Sequence, residues 1–320
     1  MKGFVVGLIV LGGLALVGGA AVLAYGMARG GINDNFVTNE YKLEEDIDII
    51  NIDTTTADID IKKADGDQGK VVCVEKEKVY HKVNVSDKLL TIKENDDRKW
   101  YQKYLFNWNF KSMSVTVYLP EAAYNDITVD SNTGHIYIAK EFTFANMKLS
   151  SDTGSVKLDN KATGDIEINV HTGGVYLNDT DANSLKVKSS TGDVNYKNGE
   201  VTGAIELQSS TGDFNLENVK GNSFKAKAST GHVHLTDVVI DDEMNIKTST
   251  GGVRFERSDA KKIKVETSTG SIKGTLLTSK IFNAKSDTGS IRLPDTADWD
   301  QAGGTFEAES DTGSIEIKIA

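Results

Sequence analysis

A Thr-Gly pair recurs at near-constant spacing along the chain, with glycine at 134, 154, 173, 192, 212, 231, 251, 270, 289 and 313. The intervals are 19 or 20 residues except for 24 before the last. Self-similarity at so short a period restricts the architecture more than any other property of the sequence. The flanks keep the same beat. Two residues after glycine stand Ile136, Val156, Val175, Val194, Phe214, Val233, Val253, Ile272, Ile291 and Ile315; seven and five before it stand pairs such as Ile166 and Ile168, Leu185 and Val187, or Ile263 and Val265. Four after it the residue is apolar or aromatic at every copy except Gly274. Period-2 alternation on both sides of a fixed corner reads as strand, Thr-Gly turn, strand. Glycine suits such a corner if φ is positive there. One more apolar residue per copy (Ala162, Ala182, Val201, Val219, Ala260) marks a short third side.

A unit of this size cannot fold alone. Its four inward side chains supply roughly 6–12 kcal/mol when buried, whereas ordering its backbone costs roughly 20–40 kcal/mol. Stacking meets the deficit, each winding pairing with the next and sharing one core. The fold class is therefore all-β: a parallel β-solenoid, or β-helix, of about 19–20 residues per coil, ten regular coils making a rod of roughly 50 Å. A β-propeller needs about twice this period, and a leucine-rich horseshoe needs asparagine and leucine at fixed offsets.

The repeat reaches back to a degenerate copy, Ile50, Ile52, Thr54, Thr56, Ala57, Ile59 and Ile61, with Ala57 in the glycine slot. Strand-like runs follow at 70–76, 79–85, 88–93 and 114–119, without the corner motif, and read as a cap. At the other end Ile315, Ile317 and Ile319 run to Ala320 with no capping helix. This predicts an unpaired terminal coil and end-to-end self-association through the C-terminal edge.

Phe4 to Met27 is an uncharged run between Lys2 and Arg29. As a helix it spans roughly 36 Å, enough for a bilayer core. It reads as a retained anchor, with a cleaved signal peptide ending near Val22-Leu23-Ala24 as the rival. Lys2 and the amino terminus favour the start being inside and the β region outside the cytoplasm. The organisation is then an anchor over 1–29, a linker over 30–44, a degenerate β region over 45–125 and a regular solenoid over 126–320.

The anchor, the degenerate first strands and the motifs Ser-Ser-Thr-Gly-Asp-Val (189–194) and Ser-Ser-Thr-Gly-Asp-Phe (209–214) resemble a family of bacterial β-strand-repeat proteins. It carries the labels "putative adhesin" and "domain of unknown function" and includes the LiaG-like proteins. The resemblance covers roughly residues 45–320. It implies a cell-envelope setting, in some members beside stress-response genes, and no shared catalytic residue.

The chemistry-bearing residues point away from catalysis. Asp152-Thr153-Gly154, Asp287-Thr288-Gly289 and Asp311-Thr312-Gly313 spell an aspartic-protease motif, but that chemistry needs two aspartates sharing a proton. Here the aspartate fills a slot held elsewhere by Ser190, Ser210, Ser229 and His171, and the slots are expected well apart. His232 and His234 face outward together and read as solvated polar residues. The single cysteine, Cys73, excludes a disulfide framework and a cysteine-based zinc site, so no metal or cofactor is expected. A net charge of −11 argues against a phosphate-backbone binder.

Two surfaces remain as candidates. Three residues after glycine, His234, Arg254, Lys273 and Arg292 form a positive stripe suited to an anionic polymer. Residues 98–111 hold an aromatic patch, Trp100, Tyr101, Tyr104, Trp108 and Phe110, suited to glycan stacking or to closing the first coil. The sequence thus reads as a membrane-anchored, extracytoplasmic, non-catalytic binding or scaffold module. Its partners are the cell membrane and a cell-wall polymer, surface glycan or membrane protein, not nucleic acid. The alternatives are an accessory of envelope-stress signalling acting through a membrane partner, and a polysaccharide-acting enzyme.

Overall fold

In a computed structural model the described residues are 35–100, 112–298 and 300–320. The candidate anchor 4–27 lies outside them, and no helix among them is long and apolar enough to cross a membrane. Their strands join one continuous β-ladder around a single core running from Leu43 to Ile317. Neighbouring windings pair in parallel and in register, so Val194 faces Phe214, Phe214 faces Val233 and Val233 faces Val253. Side chains at the inward offsets are buried in nearly every winding, and so are the third-side contacts Ala162, Ala182, Val201, Val219 and Ala260. The strands Val194–Thr211, Phe214–Thr230, Val233–Thr250 and Val253–Thr269 each run on round corners from one side to the next.

Contact as well as conformation makes the first corner glycine. At Gly212 φ is 144°, and a methyl group there would lie inside the contact distance of the Gly192 carbonyl oxygen. The same relation continues along the column Ala57, Gly134, Gly154, Gly173, Gly192, Gly212, Gly231, Gly251, Gly270, Gly313, Gly289. Backbones at the corner approach so closely that only a Cα hydrogen fits between them.

That column is not in chain order at its end. Thr305–Thr312 lies between Val253–Thr269 and Ile281–Thr288, pairing with both. Ile315–Ile319 likewise pairs with Ile272–Leu276 on one side and Ile291–Arg292 on the other. After the Gly270 winding the chain skips a layer, makes the outermost winding at Gly289, and then returns to fill the gap. This corrects the expectation of an unpaired C-terminal coil: Ile315 and Ile317 are buried, and the open edge is Ile281–Arg292. The burial pattern shows the reason. Phe282, Ala284 and Leu293 are only partly covered and Ile291 is 42% exposed, although equivalent residues elsewhere are buried.

The crossover is held by a buried ion pair. Lys280 is fully buried, its Nζ 2.5 Å from Asp259 Oδ1 and donating to the carbonyls of Ala260 (2.7 Å) and Gly303 (2.8 Å). Thr278 Oγ1 donates to the other carboxylate oxygen of Asp259. The 24-residue interval before Gly313 supplies the extra chain for the return, and Gly304, at φ 126°, brings it against the Lys261 carbonyl.

At the other end, seven strands among the described residues build the start of the stack: β1 (Phe36–Lys42), β2 (Ile49–Thr54), β3 (Ala57–Lys63), β4 (Lys70–Lys76), β5 (Val79–Ser86), β6 (Leu89–Asp96) and β7 (Met113–Leu119). β2 and β3 form a full winding under the Gly134 winding. β6 and β7 pair in parallel beneath them. Then direction reverses: β4 and β5 pair antiparallel with β7 and β6, and β1 pairs antiparallel with β4. Part of the region read as degenerate therefore already belongs to the solenoid, and the stretch read as a linker carries β1.

Candidate binding groove on the short face

The face between the two corners of each winding is short, and its geometry follows from three ladders of side chains. The first lies just inside the Thr-Gly corner, three residues before glycine. Several are hydroxyls that bond corner carbonyls: Thr248 Oγ1 donates to Gly251 O at 2.8 Å, Thr267 Oγ1 to the same oxygen at 3.0 Å, and Ser310 Oγ to Gly270 O at 3.1 Å. The second lies one residue after glycine. Asp193 Oδ1 accepts from the Asp213 amide, Asp213 Oδ1 from the His232 amide, and His232 Nδ1 from the Gly252 amide, at 2.7–2.9 Å. Each acceptor satisfies an amide in the next winding, which no strand partner reaches. The third ladder is a second corner six residues after glycine, where Asp179, Asn198, Asn218, Asp237 and Arg257 all adopt φ between 47° and 54°. Asn and Asp tolerate this region. Arg257 does not share that tolerance, and its guanidinium grips Asp237 through Nε (2.8 Å) and Nη2 (2.6 Å). The same contact holds the Asp237 carboxyl below the usual carboxylate range.

Between these corners, from the winding of Asp193 to that of Lys318, runs an open groove of about 1200 Å³. Gly252 and Gly274 carry no side chain into it, while His234, Arg254, Lys273 and Arg257 line it. His234, Arg254 and Lys273 are direct register neighbours, one per winding. The exchange of windings places Glu316 beside Lys273 and Arg292 beyond Glu316. The structure thus brings three of the four stripe residues together and sets Arg292 apart. On the long face, Lys148, Glu167, Lys186, Glu206 and Lys225 are successive partners of alternating sign.

The other candidates resolve as follows. The rings of His232 and His234 lie 5.8 Å apart, and the first is engaged through Nδ1 as a corner acceptor. The exchange also brings the windings of Asp287 and Asp311 next to one another, contrary to the expected separation. Both aspartates are exposed, and Asp287 is 3.4 Å from Lys285 Nζ, so they are not the buried proton-sharing pair of a protease. Trp100 is 76% exposed. Tyr101, Tyr104, Trp108 and Phe110 lie outside the described residues.

The profile of the family described as Toastrack DUF4097 matches residues 47–220 and 200–320. The chain belongs to that family. Its solved relatives include a protein from Parabacteroides distasonis titled a putative lipid binding protein. That chain has a TM-score of 0.50 and 15% identity, with 89% of this chain and 98% of that one covered. A putative adhesin from Bacteroides fragilis has a TM-score of 0.40 and 16% identity over the same shares. At these identities the likeness concerns the fold alone. No curated protein matches significantly. The fold of a Toastrack chain is thus placed by its profile and stack, and what it recognises must be argued from its own surface.

Proposed function

We propose that the chain is a non-catalytic binding or scaffold module of the cell envelope, anchored through residues 4–27, that holds an extended anionic polymer in the short-face groove. The observation that carries this reading is the groove itself, open along several windings and lined by His234, Arg254 and Lys273 at successive winding positions. Winding spacing of about 4.8 Å sets Arg254 and Lys273 in a row beside His234, with Asp213, Glu256 and Glu316 on the same lining, and a repeating polyanion matches that row more closely than a compact ligand does. Such attraction is screened by salt.

The test is co-sedimentation of the full chain with isolated cell-wall polymer at low and high salt. Binding that weakens with salt, and that falls at least about tenfold in Arg254→Glu/Lys273→Glu, supports the reading. Equal binding by the variant and the parent overturns it. A vesicle arm of anionic lipid, with the anchor already in detergent, separates polymer from lipid-surface recognition.

A further inference from the structure

The cap holds a second cluster that belongs to neither the repeat nor the groove. Cys73 and Glu75 alternate inward on β4, and His81 faces them from β5 across the hairpin. All three are buried, with at most 1% exposure. One potential ligand atom from each lies within 4.8 Å of the others.

The hydrogen bonding around the ring is unbalanced. Glu75 Oε1 accepts from Asn39 Nδ2 at 2.6 Å, and Oε2 accepts the His81 amide at 2.6 Å. That same Oε2 is 2.9 Å from His81 Nδ1. On the far side of the ring, Nε2 has no hydrogen-bond partner and faces Glu94 Oε2 at 3.9 Å. Glu94 is itself fixed by the amides of Thr55 and Thr56. A neutral imidazole has one N–H, yet a carboxylate lies on each side of this one. If Nδ1 carries the proton, a bare Nε2 confronts Glu94; if Nε2 carries it, a bare Nδ1 confronts Glu75.

We propose that Cys73 Sγ, Glu75 and His81 Nδ1 bind one divalent ion of the zinc type, with Nε2–H turned toward Glu94. Two metal bonds of about 2.0–2.1 Å at a tetrahedral angle set their donor atoms about 3.3–3.4 Å apart, so the 2.9 Å between Nδ1 and Oε2 has to open by only about 0.4 Å when an ion takes the place of the proton between them. A ligating histidine that donates its other N–H to a carboxylate is the usual outer arrangement of such sites. Sulfur and imidazole beside one carboxylate select zinc-like ions over calcium or magnesium, which take oxygen. Binding replaces the thiol proton, which leaves to solvent, and the dication neutralises the thiolate and the carboxylate together. Burial and Glu75 push the metal-free thiol up to about 12, so without the ion it stays neutral and inert. Counting cysteines missed this site because its donors are mixed.

The test uses the purified full chain, stripped by chelator and dialysed against zinc and then against metal-free buffer. One zinc per chain should remain, and cobalt in its place should give a thiolate-to-metal charge-transfer band. Cys73 is the only cysteine, so that band reports on it alone. Cys73→Ser should abolish the band and His81→Gln should weaken retention at least about tenfold, while His232→Ala/His234→Ala should change neither. Substoichiometric zinc, zinc held equally by Cys73→Ser, or cobalt bound without the band overturns the proposal. The cobalt spectrum of the parent decides the matter even if a variant does not fold.

Discussion

Replacing Glu266 and Glu309 by cysteine tests the exchange of windings directly. The two are register partners on adjacent parallel strands, and Glu309 is in turn the partner of Lys285. Adjacent strands lie about 4.8 Å apart, inside the Cα separation of about 4.4–6.8 Å that a disulfide bridges. Glu266 and Lys285 are two strands apart, about 9.6 Å, too far for a disulfide. A stack in chain order inverts both distances. The double variant Glu266→Cys/Glu309→Cys should therefore oxidise readily, and Glu266→Cys/Lys285→Cys should not. Closing a loop of roughly 43 residues removes about 4 kcal/mol of unfolded-state entropy in the chain-entropy model. The ion pairs of Glu266 with Lys247 and Lys264 and of Glu309 with Lys285 are lost in both redox forms, so the whole gain of about 4 kcal/mol should appear as a higher urea midpoint in the oxidised form than in the reduced one. Thiol counting and non-reducing electrophoresis read the bond itself, and buried Cys73 stays outside the reaction. Oxidation of the 266/285 pair with none of the 266/309 pair would refute the exchanged order.

Other outcomes follow from the same contacts. Gly212→Ala should cost about 2–4 kcal/mol in urea unfolding, because its methyl meets backbone that cannot move alone, whereas Gly66→Ala, with open space around it, should be nearly neutral. Lys280→Ala strands Asp259 beside the crossover and should cost about 3–5 kcal/mol, with hydrogen exchange rising first in residues 278–312. Acid should act through Glu266, whose carboxyl is held down to about 2 by hydrogen bonds from Lys247 and Lys264. Because its folded value is depressed, that contribution is whole above about 4.5 and fades as pH falls toward about 2. Glu266→Gln should flatten this part of the acid unfolding curve, and an unchanged curve would discount the pair.

How far the sequence could be read depends on where the repeat governs. Inward offsets, the corner column and Ala57 at its head were legible because alternation and close backbone approach leave the same mark in every winding. The order of the last windings was not, since the flanks of Gly289 and Gly313 are equally suited to either layer. Only the 24-residue interval hinted at a detour, and Lys280, a lysine with no outward role, marks its turning point. The positive stripe was legible as far as Lys273; Glu316 enters it only through the exchange. The acceptor ladder was visible as Asp or His one residue after glycine, and the second corner as Asn or Asp six after it, but Arg257 hid the pattern. Cys73, Glu75, His81 and Glu94 meet through antiparallel pairing in the cap, where the repeat offers no register.

The returning layer also orders events during synthesis. Residues 281–292 leave the ribosome before 305–320, yet their seat on the rod does not exist until the later segment has docked. Until then the Gly270 winding is the growing tip, and the stretch destined to be outermost must wait, tethered by Lys280, with its apolar side uncovered. Assembly of this end is therefore closed from the inside by a wedge.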